Sequence, residues 1–161
     1  MPDITQLARL HATPERVYQA ITTVEGIRSW WTRDALFESK VGGTAEVGFF
    51  NHRVVTRMRV DELTPPVRVS WKALCPAAPG WEGTTVTFDL RREAGATLLS
   101  LTHRGFDQED EGYGRTAMGW AHYLLSLHRY LETGEGRPHE AGPPRMKRLI
   151  WSRNDGTKEE Q

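Results

Sequence analysis

The 161-residue sequence has one cysteine, no excess of either charge and no long apolar run. Cys75 has no second thiol in the chain, so no internal disulfide forms and a reducing compartment is expected. Lys plus Arg number 21, as do Asp plus Glu, for a formal net charge of zero. Nucleic-acid and anionic-membrane binders need a basic excess, so neither kind of partner is expected. No stretch approaches the roughly 18 apolar residues of a membrane span. Met1-Pro2-Asp3-Ile4 offers neither the basic nor the apolar region of a secretion signal, which points to the cytoplasm. Internal repeats and low-complexity tracts are also missing.

What is present is patterning. Ile4 to His11 alternates, with Ile4, Ala8 and Leu10 in one row, and predicts a strand. Thr13-Pro14 predicts a helix start, because threonine caps a free N–H and proline at the first helical position has none to lose. Gly26 is read as the break before a second short helix over Ile27–Trp31. The period then changes to two. Strands are expected over Ala35–Glu38, Thr44–Asn51, Val54–Leu63, Val67–Leu74, Thr84–Arg92 and Thr97–Arg104, with turn residues between them. Asp107–Glu111 reads as a solvated acidic loop, and Gly80-Trp81-Glu82-Gly83 as a loop with one aromatic anchor, with a place over a pocket mouth as the alternative. Tyr113, Ala117, Trp120, Leu124, Leu127 and Leu131 recur at spacings of three and four, predicting a long amphipathic helix that stops at Gly134. Glu135–Pro144 reads as a Gly/Pro-rich linker, followed by a tail with one apolar cluster, Met146, Leu149, Ile150 and Trp151.

Short gaps between strands imply hairpins, hence an antiparallel sheet. The layout predicts an α+β fold: a curved antiparallel sheet of six or seven strands around a long C-terminal helix, with two short helices after the first strand. A helix about 10 Å across covers only about two strand spacings of 4.8 Å. One helix therefore leaves a wide sheet face to curl over an apolar hollow. The rows assigned inward are Val47 and Phe49; Val54, Thr56, Met58 and Val60; Val67, Val69, Trp71 and Ala73; Val86, Phe88 and Leu90; and Thr97, Leu99, Leu101 and His103. Close-packed side chains could equally fill that space.

Several of these stretches resemble a known family as they stand. They are Ala12-Thr13-Pro14-Glu15-Arg16-Val17-Tyr18, the Trp30-Trp31 pair, Asp61-Glu62-Leu63-Thr64-Pro65-Pro66, Thr97 to Phe106, and Gly119-Trp120 with Leu124, Leu127 and Leu131. Together they resemble the SRPBCC superfamily of START-like, helix-grip domains, and within it the branch named after the activator of heat-shock-protein-90 ATPase. The likeness covers about residues 3–134 and implies a helix-grip domain over residues 1–134; nothing in it extends to 135–161, the linker and tail read from composition. The superfamily includes lipid and steroid carriers, polyketide cyclases, plant hormone receptors and co-chaperone domains, so fold alone does not select a function.

The leading expectation is a binding domain for a small hydrophobic or aromatic molecule between the long helix and the sheet, without catalysis, metal or cofactor. The expected lining from the sheet is Phe49, Thr56, Met58, Trp71, Phe88, Leu101 and His103. The helices are expected to add Trp30, Trp31, Trp120 and Leu124. Trp71 and Trp120 are equally read as core residues. His103 is read two ways, as a core histidine bonded to a backbone or hydroxyl group, or as a polar contact that orients a ligand. A chaperone-associated interaction module is the second expectation, resting on the resemblance and on the Met146–Trp151 cluster. A polyketide cyclase- or dehydratase-like enzyme is the third, although no acid–base pair is readable. Other candidates carry little chemistry. Cys75 has no local base, no Cys/His pair has zinc spacing, and His122 and His128 stand about 240° apart around their helix. His52 fits a turn role, and Gly112-Tyr113-Gly114 lacks the rest of a phosphate loop.

Overall fold

The structure is a computed structural model that describes residues 1–74 and 80–140. Cys75 and the Met146–Trp151 cluster lie outside the described residues. The chain runs β1 (Ile4–Leu10), α1 (Pro14–Thr22), α2 (Val24–Trp30), β2 (Ala35–Phe37), β3 (Thr44–Phe49), β4 (Val54–Thr64), β5 (Arg68–Ala73), β6 (Thr85–Glu93), β7 (Ala96–Arg104) and α3 (Glu111–Thr133). All seven strands form one antiparallel sheet in the order β1-β7-β6-β5-β4-β3-β2, with β1 and β2 at its edges. The curved sheet grips α3, as the helix-grip expectation required. No helix among the described residues is long and apolar enough to cross a membrane.

Register brings the inward rows together. Val86 pairs with His103, Phe88 with Leu101, Val69 with Phe88, Val60 with Trp71, and Val47 with Thr56. Because side chains alternate across a strand, these pairs share the face beneath α3, and all of these residues are buried. Val67 departs from its assigned row. It precedes β5 in the turn after Pro65-Pro66 and is exposed, because the strand pairing begins one residue later, at Arg68.

The caps explain the helices. Thr13 Oγ1 accepts from Arg16 N at 3.2 Å, with Pro14 at the first position of α1. The break between α1 and α2 falls at Thr23, not Gly26. Thr23 ends α1 in extended conformation, and its hydroxyl caps α2 by accepting from Gly26 N at 3.0 Å. Gly26 sits inside α2 because a Cβ there would run into the Ala20 backbone. Asp110 caps α3 by accepting from Tyr113 N, which holds its carboxyl below the usual range. Gly134, in the left-handed region at φ 85°, ends it.

The stretch read as a linker is seated on the body as far as Glu140. Arg137 N donates to Ser126 Oγ at 2.6 Å, and His139 exchanges backbone hydrogen bonds with Trp31 and Arg33.

Candidate functional site

Five of the six tryptophans form one aromatic body under α3; the sixth, Trp151, lies outside the described residues. Trp30, Trp31 and Trp71 stack in parallel, with centroids 5.6 Å and then 5.7 Å apart. Trp120 from α3 tilts against Trp31 at 5.0 Å and stacks on Trp81 at 5.9 Å. Phe88 meets Trp71 and Trp120 edge-on. Aromatic pairs in such offset or edge geometry gain about 0.5–1.5 kcal/mol each beyond area burial.

On one side of this body packing stops. A cleft of about 560 Å³ lies between the first half of α3 and the β3–β4 hairpin. Trp31 and Thr56 line it from within, Trp81 and Trp120 form one wall, and Phe49, Phe50, Val54 and Tyr123 form the other. The helix leaves room because its lining positions include Gly112, Thr116 and Gly119, and a Cβ built on Gly119 meets nothing within 4 Å. The ionisable groups of the lining are Glu111, Arg115 and Tyr123. Glu111 and Arg115 pair with each other one turn apart at the exposed mouth. Burial pushes the Tyr123 hydroxyl up, so it stays protonated at neutral pH.

His103 holds the tryptophan wall from behind. Trp120 Nε1–H donates to His103 Nδ1 at 3.0 Å, which fixes the proton of the neutral ring on Nε2. His103 Nε2–H then donates to Thr84 Oγ1 at 2.8 Å, and the Thr84 hydroxyl donates to the Trp81 carbonyl. Trp81 Nε1–H donates to Thr116 Oγ1 at 3.0 Å, closing the wall back onto α3. Burial pushes the imidazole down to about 3, so it is neutral at physiological pH. A proton on Nδ1 would also break the bond from Trp120. Both ring nitrogens are therefore committed to the protein. The chemistry open to this cleft is recognition of flat apolar surface, with few polar contacts.

The opposite rim is a strained turn. Phe50, Asn51 and His52 all lie in the left-handed region, at φ 55°, 61° and 68°. Residues with a Cβ avoid that conformation unless their surroundings hold it. Here His139 Nε2 accepts from Phe50 N at 2.8 Å, and its ring packs edge-on against Phe49 and Phe50. His52 Nδ1 bonds Asp34 Oδ2 at 2.6 Å, so the histidine read as a turn residue anchors that turn. The segment after α3 thus buttresses the cleft.

Comparison with known proteins places this architecture. Residues 11–132 match the family described as Activator of Hsp90 ATPase homolog 1-like protein. The chain belongs to this family. The solution structure of the Aha1 dimer from Colwellia psychrerythraea is 31% identical, with a TM-score of 0.77 over 84% of this chain and 100% of that one. Two further structures share the fold. CalU16 from Micromonospora echinospora is 21% identical, with a TM-score of 0.68 over 96% of this chain and 84% of that one. An HSP90 activator from Plasmodium falciparum is also 21% identical, with a TM-score of 0.63 over 83% of this chain and 96% of that one. No protein with a curated description matches the sequence significantly.

Within this Hsp90-activator-like domain, Trp31, Phe49, Thr56 and Trp120 line the cleft among the residues expected from sequence. Trp30, Met58, Trp71, Phe88, Leu101, His103 and Leu124 are instead buried in the core around it. Among the described residues, Trp71 Nε1 finds no hydrogen-bond partner there. Phe50, Gly119 and Tyr123 line the cleft without any expectation from sequence, joined by Val54 from an inward row and by Trp81, for which a place over a pocket mouth is the alternative reading. One signal was readable: Gly112, Thr116 and Gly119 put small residues on one side of an otherwise bulky helix. His139 carried no signal, because its partners Phe49 and Phe50 lie far away in sequence.

Proposed function

We propose that this protein is a cytoplasmic binding domain that takes a small hydrophobic or aromatic molecule into the cleft between α3 and the β3–β4 hairpin, without transforming it. The aromatic cleft carries the reading. Its volume of about 560 Å³ falls within the roughly 300–1,000 Å³ typical of small-molecule sites, and six aromatic side chains line it. A flat guest would lie between the Trp81–Trp120 wall and the Phe49–Phe50 rim. The floor supports the same reading, since among the described residues no acceptor takes the indole N–H of Trp31. The mutual pairing of Glu111 and Arg115 supports binding without catalysis.

A screen of lipids, polyketides and aromatic compounds by amide-shift NMR tests this. Saturable shifts should cluster at Trp31, Trp81, Gly119 and Trp120. Gly119→Leu should abolish them while leaving the fold intact, because its side chain would enter the open space of the cleft. Silence across all three compound classes would reject the reading.

A second reading is favoured by the family itself and by the Hsp90 activator among its structural neighbours. In it, the domain docks on a chaperone and raises ATP turnover. Hsp90 ATPase assays with the wild-type protein, Gly119→Leu and a chain ending at Glu140 separate the two. Stimulation that survives Gly119→Leu would place chaperone docking outside the cleft. An unchanged ATPase rate with the wild-type protein would count against this second role.

A further inference from the structure

At the far end of α3 from the cleft, three ligating side chains converge from opposite ends of the sequence. His128 and Glu132 stand one turn apart on α3, with His128 Nε2 3.7 Å from Glu132 Oε2. His11, in the corner between β1 and α1, meets His128 with ring centroids 5.8 Å apart. One ligand atom from each of the three lies within 4.8 Å of the other two. We propose that His11, His128 and Glu132 form a site for a borderline divalent cation, with Zn²⁺ the best match.

The donor set selects the metal. Two neutral imidazoles and one carboxylate suit zinc and its first-row neighbours, whereas Mg²⁺ and Ca²⁺ take oxygen ligands almost exclusively. Bonds of about 2.1 Å in a tetrahedral zinc site put the donor atoms about 3.4 Å apart. The cluster must contract by about 1.4 Å at most, within reach of the exposed His11 and Glu132 and the half-buried His128 as they turn about their χ angles. Among the described residues, none of the three side chains makes a hydrogen bond or ion pair outside the cluster. A neighbouring cation, Arg9, lines the same groove as His128. Its guanidinium is engaged by Glu93 and by the Ala94 carbonyl.

The backbone beneath the site is fixed on both sides. Ala12, next to His11, donates to Leu10 O at 2.9 Å and accepts from Thr97 Oγ1 at 2.7 Å. Arg16 Nη1 donates to Leu131 O at 2.7 Å, tying α1 to α3 beside Glu132. A metal here would clamp the β1–α1 corner to the last turns of the long helix. Three protein ligands leave a fourth position to water or to a group from another molecule.

Calorimetric titration of the untagged full-length protein with ZnCl₂, with thermal melts in parallel, tests the site. One zinc should bind per chain and raise the melting temperature. Loss of outer-shell partners alone costs zinc sites roughly 10–100-fold. His11→Gln and His128→Gln remove direct ligands and should each weaken binding by at least about tenfold. His122→Gln, an exposed histidine of the same helix outside the cluster, should bind as the wild type does. Co²⁺ should give the visible absorption of a tetrahedral site, and MgCl₂ should not compete. Absence of saturable zinc binding, or binding unchanged in both His11→Gln and His128→Gln, would overturn the proposal. The variants' melting curves without metal show whether any loss reflects unfolding.

Discussion

From Leu124 onward, α3 presses Leu124, Leu127 and Leu131 into the core, and all three are buried. Before Trp120, the side it turns to the cleft carries Gly112, Thr116 and Gly119. Over its second half the helix is backed by α1 and α2. Arg16 reaches the Leu131 carbonyl, and Ser126 Oγ donates to Trp30 O at 2.7 Å. Over its first half one side is tied to β1, where Gln6 Nε2 donates to the Ala117 carbonyl at 2.8 Å, while the other borders the cleft that runs between the Trp81 loop and the Phe50 turn. A single helix thus closes the sheet at one end and leaves it open at the other. Side-chain volume decides which. The lesson is that width of sheet alone does not make a chamber: three stacked indoles fill the middle of this one, and the opening survives where glycines replace bulk.

Trp120 sits at the seam between the two halves, so its removal should have the largest effect. Trp120→Ala would unstack Trp31 and Trp81, orphan His103 Nδ1 and open a cavity beneath α3. Deleting a buried large aromatic costs about 3–5 kcal/mol. Urea titration should show a loss in that range, and a loss below about 1 kcal/mol would mean that Trp120 does not join the sealed half to the open one.

Behind the same seam, His103 links the two halves to pH. The folded ring titrates at about 3, and in the unfolded chain it returns to about 6.5. Between those values the unfolded state binds the extra proton, so the stabilising contribution is complete above the upper value and declines as pH falls toward the lower. At about 1.4 kcal/mol per pH unit, the loss between pH 7 and pH 5 comes to about 2 kcal/mol. In His103→Gln that pH-dependent difference should shrink by about the same amount, measured by urea titration at both pH values. An unchanged slope would show that protonation of another group governs acid stability.

Period and punctuation made most of the fold legible. Every predicted strand is present, with ends displaced by a few residues at most, and the Thr13-Pro14 start and Gly134 stop of the helices stand where they were read. Gly26 misled because a glycine in a helix is read as a break, whereas this one is required by the close crossing of α1 and α2. The candidate site was half legible. Inward-facing residues can be listed from a period-two pattern, but periodicity does not say which of them touch one another and which touch empty space. Trp71 and Trp31 look equivalent as sequence, yet Trp71 is sealed within the stack while Trp31 lines the cleft. The Phe50 turn and its His139 brace depend on contacts across the whole chain, and no local pattern reports those.

One substitution made in both regions gives the smallest effects and the sharpest contrast. At Gly119, an added methyl enters open space, while the unfolded chain loses the extra conformational freedom that glycine gives it. Gly119→Ala should therefore stabilise the protein by up to about 1 kcal/mol, the usual difference between the two residues in a helix interior. At Gly26 the helical preference is the same, but the methyl meets the Ala20 carbonyl, a backbone group that cannot swing aside. The helices must separate, and overpacking of that kind costs typically about 1–3 kcal/mol. Urea titrations of the two variants should therefore differ in sign. Equal stabilisation at both positions would show that the α1–α2 crossing yields readily. Destabilisation at both would show that the space beside Gly119 is closed in solution, and with it the cleft.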